Sequence, residues 1–267
     1  MTYFGFLAAF IFFPILMFVT FLIWEKRKDK SITNRNNDLK NAAAIGIHII
    51  LAVLYTTPWD NYLVANHVWY YDPKLVSGIV LGYVPLEEYT FFLLQTLFVG
   101  LWWQILSRRI SPPEVFKPSK RSQSGTLMVA ALIWLGSAFV FLNHWNSMTY
   151  LSIILFWAMP AIIPQMAFGA DILWHQRKLL AWTILPMVLY LSFTDSLAIA
   201  TGIWTINPAK STGIFIGKLP LEEGVFFFVT ILLISFGVTL LTAKESQPRW
   251  AEIKKAFKQF SAGMSDV

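Results

Sequence analysis

Two adjacent carboxylates occur twice in this chain, in the same frame. Residues 85–92 read Pro85-Leu86-Glu87-Glu88-Tyr89-Thr90-Phe91-Phe92, and residues 220–227 read Pro220-Leu221-Glu222-Glu223-Gly224-Val225-Phe226-Phe227. Both pairs open a long apolar run, where a carboxylate at a helix centre costs about 2.5–3.5 kcal/mol on insertion scales. A cost met twice in the same place points to chemistry. A carboxylic acid held neutral in an apolar cavity is a proton donor, the state that general acid catalysis requires. At least one of Glu87, Glu88, Glu222 and Glu223 is expected to carry its proton near neutral pH. Aromatic faces complement such an acid, because the ring quadrupole attracts a cation and supplies no strong nucleophile. Phe91, Phe92, Phe226, Phe227, Tyr55, Tyr190, Trp69 and Trp204 lie in or near the two motifs. A buried acid with aromatic walls and an entrance from lipid suits protonation of an alkene and control of the resulting carbocation.

The elements that must hold these residues are membrane helices. The 267 residues are 56% hydrophobic and only 13% charged, with mean hydropathy +0.56, against about 25% charged in soluble domains. Apolar stretches of about 18–25 residues recur, the length that crosses a hydrocarbon core. Seven spans are expected, at roughly 2–24, 40–59, 78–106, 126–143, 147–168, 178–200 and 213–242. The first is not a cleavable signal, because its basic residues follow the apolar run. There is no cysteine, which excludes disulfides and thiol catalysis. No His-Glu-x-x-His, Gly-x-Gly-x-x-Gly or P-loop pattern occurs, so neither a metal nor a built-in dinucleotide site is expected. Eighteen of the 21 Lys and Arg residues lie in the loops after spans one, three and five and in the tail. That bias places the N-terminus outside and the C-terminus in the cytoplasm, in a bacterial inner membrane. The net charge of +6 is spent at membrane boundaries, and no nucleic-acid partner is expected.

The acidic motifs belong to a longer repeat. At an offset of 135, positions 60–92 match 195–227 without a gap, with 13 identities in 33, among them Asp60/Asp195, Trp69/Trp204, Gly82/Gly217 and Pro-Leu-Glu-Glu itself. Tyr55/Tyr190 extends the match, and at an offset of 150 Pro14 pairs with Pro164. The expected fold is all-α, with tandem parallel three-helix repeats over 1–106 and 147–242. A cytoplasmic linker and connecting helix (107–146) joins them, and a basic amphipathic tail (243–267) follows. In that tail Trp250, Ile253, Phe257 and Phe260 oppose Lys254, Lys255 and Lys258.

The depth of the acids depends on where their helices start. A start at Pro85 would put proline at the first helical position and the glutamates in the first turn. A helix continuous from Gly78 would make Pro85 a kink. Adjacent residues project about 100° apart on a helix, so one acid of each pair is expected to reach a cavity and the other to be a structural partner.

These residues resemble the lycopene cyclase domain family. Its mark is a pair of three-span units, each with Pro-x-Glu-Glu and Phe-Phe at the head of its last helix and an Asp at the end of the one before. The chain is similar to the single-chain fused form of the heterodimeric cyclases. The resemblance implies cofactor-independent, redox-neutral cyclisation of the ψ-ends of lycopene, drawn from the lipid phase, to γ-carotene and then β-carotene. It implies that a Glu protonates C2, that the C5–C6 double bond closes on the C1 cation, and that loss of the C6 proton leaves the β-ring. The acid role falls on Glu87, Glu88, Glu222 and Glu223, with Asp60 and Asp195 as polar partners or bases. Membrane lipids and other carotenoid enzymes are the expected neighbours. Gly224 in place of Tyr89 and Thr230 in place of Gln95 make the halves unequal.

Blander readings stand beside these. The glutamates fit helix caps, Asp60 and Asp195 turn residues, Trp69 and Trp204 interfacial anchors, and His48 a packed side chain. A C50, ε- or γ-type cyclase shares the motif, and a proton-coupled transporter would also use a repeat with buried acids. A retinal protein would need a lysine inside the last span, and 219–242 has none.

Overall fold

The computed structural model describes residues 1–28 and 35–265, most of them helical. Among the described residues seven helices are long and apolar enough to cross a membrane. They are α1 (Tyr3–Lys28), α2 (Arg35–Ala65), α3 (Leu86–Ser107), α4 (Lys120–Leu142), α5 (Thr149–His175), α6 (Arg177–Ala200) and α7 (Leu221–Thr242). A further helix, α8 (Gln247–Ser265), forms the tail. Its Trp250 packs on Phe168, while Ile253 and Phe257 are exposed. Lys30, one of the basic-loop residues, and the side chains of Lys258 and Phe260 lie outside the described residues.

The third and seventh spans start later than hydropathy suggests. Residues 78–85 and 213–220 are two-stranded hairpins instead: β2 (Val80–Leu81) with β3 (Val84–Pro85), and β5 (Phe215–Ile216) with β6 (Leu219–Pro220). Gly82 and Gly217 hold φ of 70° and 66° at the first turn position, the left-handed value that favours glycine in a two-residue hairpin loop. Ile79, Val80, Leu81, Ile214, Phe215 and Ile216 are exposed, so an apolar run here marks a surface facing lipid or its interface. Pro85 and Pro220 are neither first helical residues nor kinks. Both are extended N-caps, with ψ of 152° and 145°. The second span also runs past 59 to Ala65, with Pro58 inside it.

Other prolines are accommodated by side chains from neighbouring helices. Pro14 has no N–H to give the carbonyl of Phe10, and the helix widens to a π turn over Ala8–Phe12 just before it. Tyr190 Oη donates to the Phe10 carbonyl at 2.8 Å. Pro186 likewise cannot bond the carbonyl of Trp182, to which Trp102 Nε1 donates at 3.1 Å. In hydrocarbon such freed carbonyls must be satisfied within the protein.

Helices α3 and α7 are the most buried of the seven and pack on each other at the centre. Gln95 Nε2 on α3 donates to Thr230 Oγ1 on α7 at 3.0 Å, joining the two members of one repeat position at which the halves differ. His48 on α2 is a packed histidine: its Nδ1 lies 2.8 Å from the Ala44 carbonyl, and its ring presses on Gly237 of α7. A Cβ at 237 would fall 1.8 Å from His48 Nε2. Gly237→Ala is therefore expected to destabilise the bundle by about 1–3 kcal/mol, despite alanine's better helix propensity. Thermal unfolding of the purified variant in detergent checks this, and His48→Ala should relieve it.

Between α2 and α3, β1 (Trp69–Tyr71) pairs antiparallel with β4 (Trp204–Ile206), Tyr70 opposite Thr205. This ribbon joins parts of the chain 135 residues apart. At the other ends of the helices, Glu25 accepts from Arg108 at 2.6 Å and from Arg109. Arg108 also donates to Asp38 at 2.7 Å. Arg249 of α8 binds Asp171 of α5 through both nitrogens.

Candidate active site

Because α3 and α7 begin one residue before their glutamates, each acid pair sits in the first turn and its two members diverge. Glu87 turns back to the loop before its hairpin, accepting from Ser77 N and from Ser77 Oγ at 3.2 Å. Glu222 does the same with Thr212 N. These two acids satisfy loop backbone. Glu88 and Glu223 turn instead into one shared, partly open cavity of about 570 Å³ beneath the β1–β4 ribbon.

Each cavity-facing carboxylate is held by a tyrosine from the first turn of a distant helix. Tyr3 Oη of α1 donates to Glu88 Oε2 at 2.6 Å, and Tyr150 Oη of α5 donates to Glu223 Oε1 at 2.7 Å. Glu88 has a second donor, Tyr71 Oη at 3.0 Å, itself accepting from Trp69 Nε1 at 3.0 Å. The residue 135 positions on from Tyr71 is Ile206, so among the described residues Glu223 has no matching second phenol. Burial, and then the charge of Glu88, push the Tyr71 phenol well above its ordinary value. It therefore stays a donor at physiological pH.

Asp60 and Asp195 line the same cavity. Asp60 is not a terminal turn residue, since α2 continues five residues beyond it. Each aspartate keeps one buried carboxyl oxygen that has no hydrogen-bond partner among the described residues. The walls are aromatic: Phe91, Phe92, Phe226, Phe227, Trp69 and Trp204 all face the cavity. The two tryptophans are thus walls rather than anchors. Tyr3 packs on Trp204 with centroids 4.9 Å apart, and Tyr150 on Trp69 at 5.2 Å, so each half's tyrosine meets the other half's tryptophan.

Besides Glu87 and Glu222, two expected aromatic residues fall elsewhere. Tyr190 supports the Pro14 kink and Tyr55 lines a second cavity. Sequence reading missed Tyr3, Tyr150, Tyr71, Trp59 and Thr194, all of which line the acid cavity. Tyr3 and Tyr150 are 147 residues apart, so neither offset pairs them; a gapped comparison of the two helix starts could have. Among the described residues no cluster of His, Cys, Asp and Glu is arranged to hold a metal ion. The arrangement supplies two hydrogen-bonded carboxyl groups, two further acids and a wall of π faces around one shared space. Such a site can give a proton to an alkene at one point and take one back at another.

A family profile described as lycopene cyclase matches residues 31–106 and 146–241. A protein named lycopene beta-cyclase from Halobacterium salinarum is 42% identical over 205 residues, covering 77% of this chain and 84% of the relative. A bifunctional lycopene cyclase/phytoene synthase from Aspergillus niger is 34% identical over 203 residues, covering 73% of this chain and 34% of the relative. One from Gibberella fujikuroi is 34% identical over 200 residues, with shares of 71% and 33%. No solved structure matches the chain.

Proposed function

The chain belongs to the lycopene cyclase family, and on that premise we propose that its acid cavity forms the β-rings of β-carotene from the ψ-ends of lycopene. The observation that carries this reading is the convergence of Glu88 and Glu223, one from each motif, on a single aromatic-walled cavity. The protein is a carotenoid cyclase of the membrane, and its activity is lycopene β-cyclisation.

The inequality of the two carboxylates supports a division of labour. Glu223 gives its proton to C2 of the terminal double bond, leaving the cation at C1. The C5–C6 double bond closes on C1, and the charge moves to C5. Glu88, held by two phenols, takes the proton from C6, and the electrons of that C–H bond restore the C5–C6 double bond. One proton enters and one leaves, so the product is an isomer of the substrate. Asp60 and Asp195, each with a carboxyl oxygen in the cavity unpartnered among the described residues, are the groups through which the proton returns to Glu223. Trp69, Trp204 and the four phenylalanines stabilise the cation. Glu87 and Glu222 hold the loops that lead into the two hairpins. Tyr71→Phe, which leaves Tyr3 in place, is expected to slow turnover by about tenfold with lycopene binding unchanged.

We read the chain as two tandem parallel three-helix units, 1–106 and 147–242, with 107–146 as connector. The matched surroundings of Glu88 and Glu223, the twin hairpins and the β1–β4 pairing support this. An N-terminus outside the membrane and a cytoplasmic C-terminus rest on the distribution of Lys and Arg.

Pigments extracted from lycopene-accumulating cells expressing this chain test the function. Bicyclic β-carotene is expected, with γ-carotene on the way. Lycopene left intact by well-expressed, membrane-inserted protein would contradict it.

A further inference from the structure

A second, larger space of about 820 Å³ lies against the acid cavity. It is bounded by α2, α3, α5 and α7, and it shares Phe92 and Phe226 with the acid cavity, so the two spaces meet at these rings. From that junction it runs along the helices into the bundle. On α7 its wall passes from Phe226 to Thr230 and Ile234, and on α5 from Trp157 to Ala161 and Gln165. Eight residues at 1.5 Å rise make it roughly 12 Å long.

Its chemistry suits a long hydrocarbon. Among the described residues no charged side chain lines it. Most of its polar groups are turned to the protein: Thr96 Oγ1 donates to the Phe92 carbonyl at 2.8 Å, Thr230 Oγ1 to the Phe226 carbonyl at 2.9 Å, and Gln165 Nε2 to the Leu233 carbonyl at 3.3 Å, while Gln165 Oε1 has no partner among the described residues. At the junction end Tyr55 and Trp157 stack with centroids 5.2 Å apart. Tyr55 Oη donates to the Trp157 carbonyl at 2.8 Å, and Trp157 Nε1 donates to the Tyr55 carbonyl at 3.1 Å. Tyr55 is 40% exposed, so this end reaches the lipid-facing surface.

The groove is one-sided. Leu233 lines it and Gly237 backs His48 on its wall, while the residues 135 positions earlier are Phe98 and Trp102. Phe18 of α1 stacks on both Phe98 and Trp102, at 5.2 and 5.5 Å, and Tyr190 meets Phe98 edge-on at 5.6 Å. Aromatic rings fill on one side the space that Leu233, with His48 drawn back onto Gly237, leaves on the other.

We infer that this groove holds the near stretch of the conjugated chain of the carotenoid whose ψ-end occupies the acid cavity, so that the enzyme takes one end at a time. The inference rests on the cyclase reading and adds where the polyene lies. Because the groove is built on one side, the monocyclic product must leave and return reversed before its second end can close.

Ala52 and Ala161 face the groove from α2 and α5, away from the acids. The test places Ala52→Phe and Ala161→Phe separately in the full chain, beside Leu189→Phe on an exposed face of α6. Each is also made in a Glu88→Gln/Glu223→Gln background. Two quantities are read at equal membrane-inserted yield: cyclic product in the active background, and lycopene co-purifying with the inactive one. Both groove variants are expected to lose about tenfold or more in each, and Leu189→Phe neither. If either groove variant inserts normally and keeps both within about twofold, the polyene lies elsewhere and the inference falls. Two helices are probed so that a folding failure at one leaves the other decisive. Failure of the cyclase reading looks different: the unsubstituted chain would itself form no ring.

Discussion

Glu88→Gln and Glu223→Gln are each expected to lower the rate of β-ring formation by about 10²–10⁴, the usual contribution of a positioned proton donor or acceptor. Glutamine keeps the size of the side chain and can still accept from Tyr3 or Tyr150, so insertion and folding should be near normal. The effect then falls on proton transfer. The neighbouring acids make an internal control. Glu87 and Glu222 are as buried as their partners and share their motifs, yet Glu87 accepts from Ser77 through both oxygens and Glu222 from Thr212 through Oε1. A glutamine oxygen still accepts from those amides. Glu87→Gln and Glu222→Gln should therefore cost about 1 kcal/mol of stability and less than tenfold in rate. Pigment ratios from lycopene-accumulating cells, scaled to membrane-inserted protein, would separate the two classes. Equal losses in all four variants would remove the distinction drawn between cavity and loop acids.

The second large effect is on stability. Arg108 is 9% exposed and ties Glu25 of α1 and Asp38 of α2 to the end of α3. Removing one partner of a buried pair leaves an uncompensated charge, which costs about 3–5 kcal/mol. Arg108→Met is placed at the low end of that range, about 3 kcal/mol, because Arg109 also reaches Glu25. Adding Glu25→Gln and Asp38→Asn should restore part of the loss, since no charge then remains unpaired. The cluster lies twenty residues along α3 from Glu88, roughly 30 Å at helical rise, so turnover per folded molecule should not change. Thermal unfolding of the purified variants in detergent measures the first effect and pigment per folded protein the second. A change within about 0.5 kcal/mol would mean that the cluster behaves as an exposed surface pair.

Much of this was legible in the sequence because it depends on local patterns. The seven apolar runs, the doubled Pro-Leu-Glu-Glu and the aromatic residues after it are read directly. So is the divergence of adjacent acids, although which acid turns inward is set by the packing of α3 and α7. Hydropathy misplaced the starts of α3 and α7, since a hairpin against lipid is as apolar as a helix. Only Gly82 and Gly217, each before a proline-capped helix, carried the turn signal. Trp69 and Trp204 looked like interfacial residues because their burial comes from the β1–β4 ribbon, a pairing 135 residues apart that no local window contains. Tyr3 and Tyr150 escaped for a similar reason. Their role arises where the starts of α1 and α5 meet the starts of α3 and α7. The one-sided groove follows from Phe98 and Trp102 against Leu233 and Gly237, differences that are visible in the repeat but acquire meaning only once Phe18 and Tyr190 are placed beside them.

The central claim, that the two inward carboxylates perform the cyclisation, is tested most directly with purified protein in lipid bilayers given lycopene alone. The unsubstituted chain should release γ-carotene and then β-carotene. The Glu88→Gln/Glu223→Gln variant should keep lycopene bound and unconverted. Cyclic product from that variant at the unsubstituted rate would show that the proton comes from somewhere else.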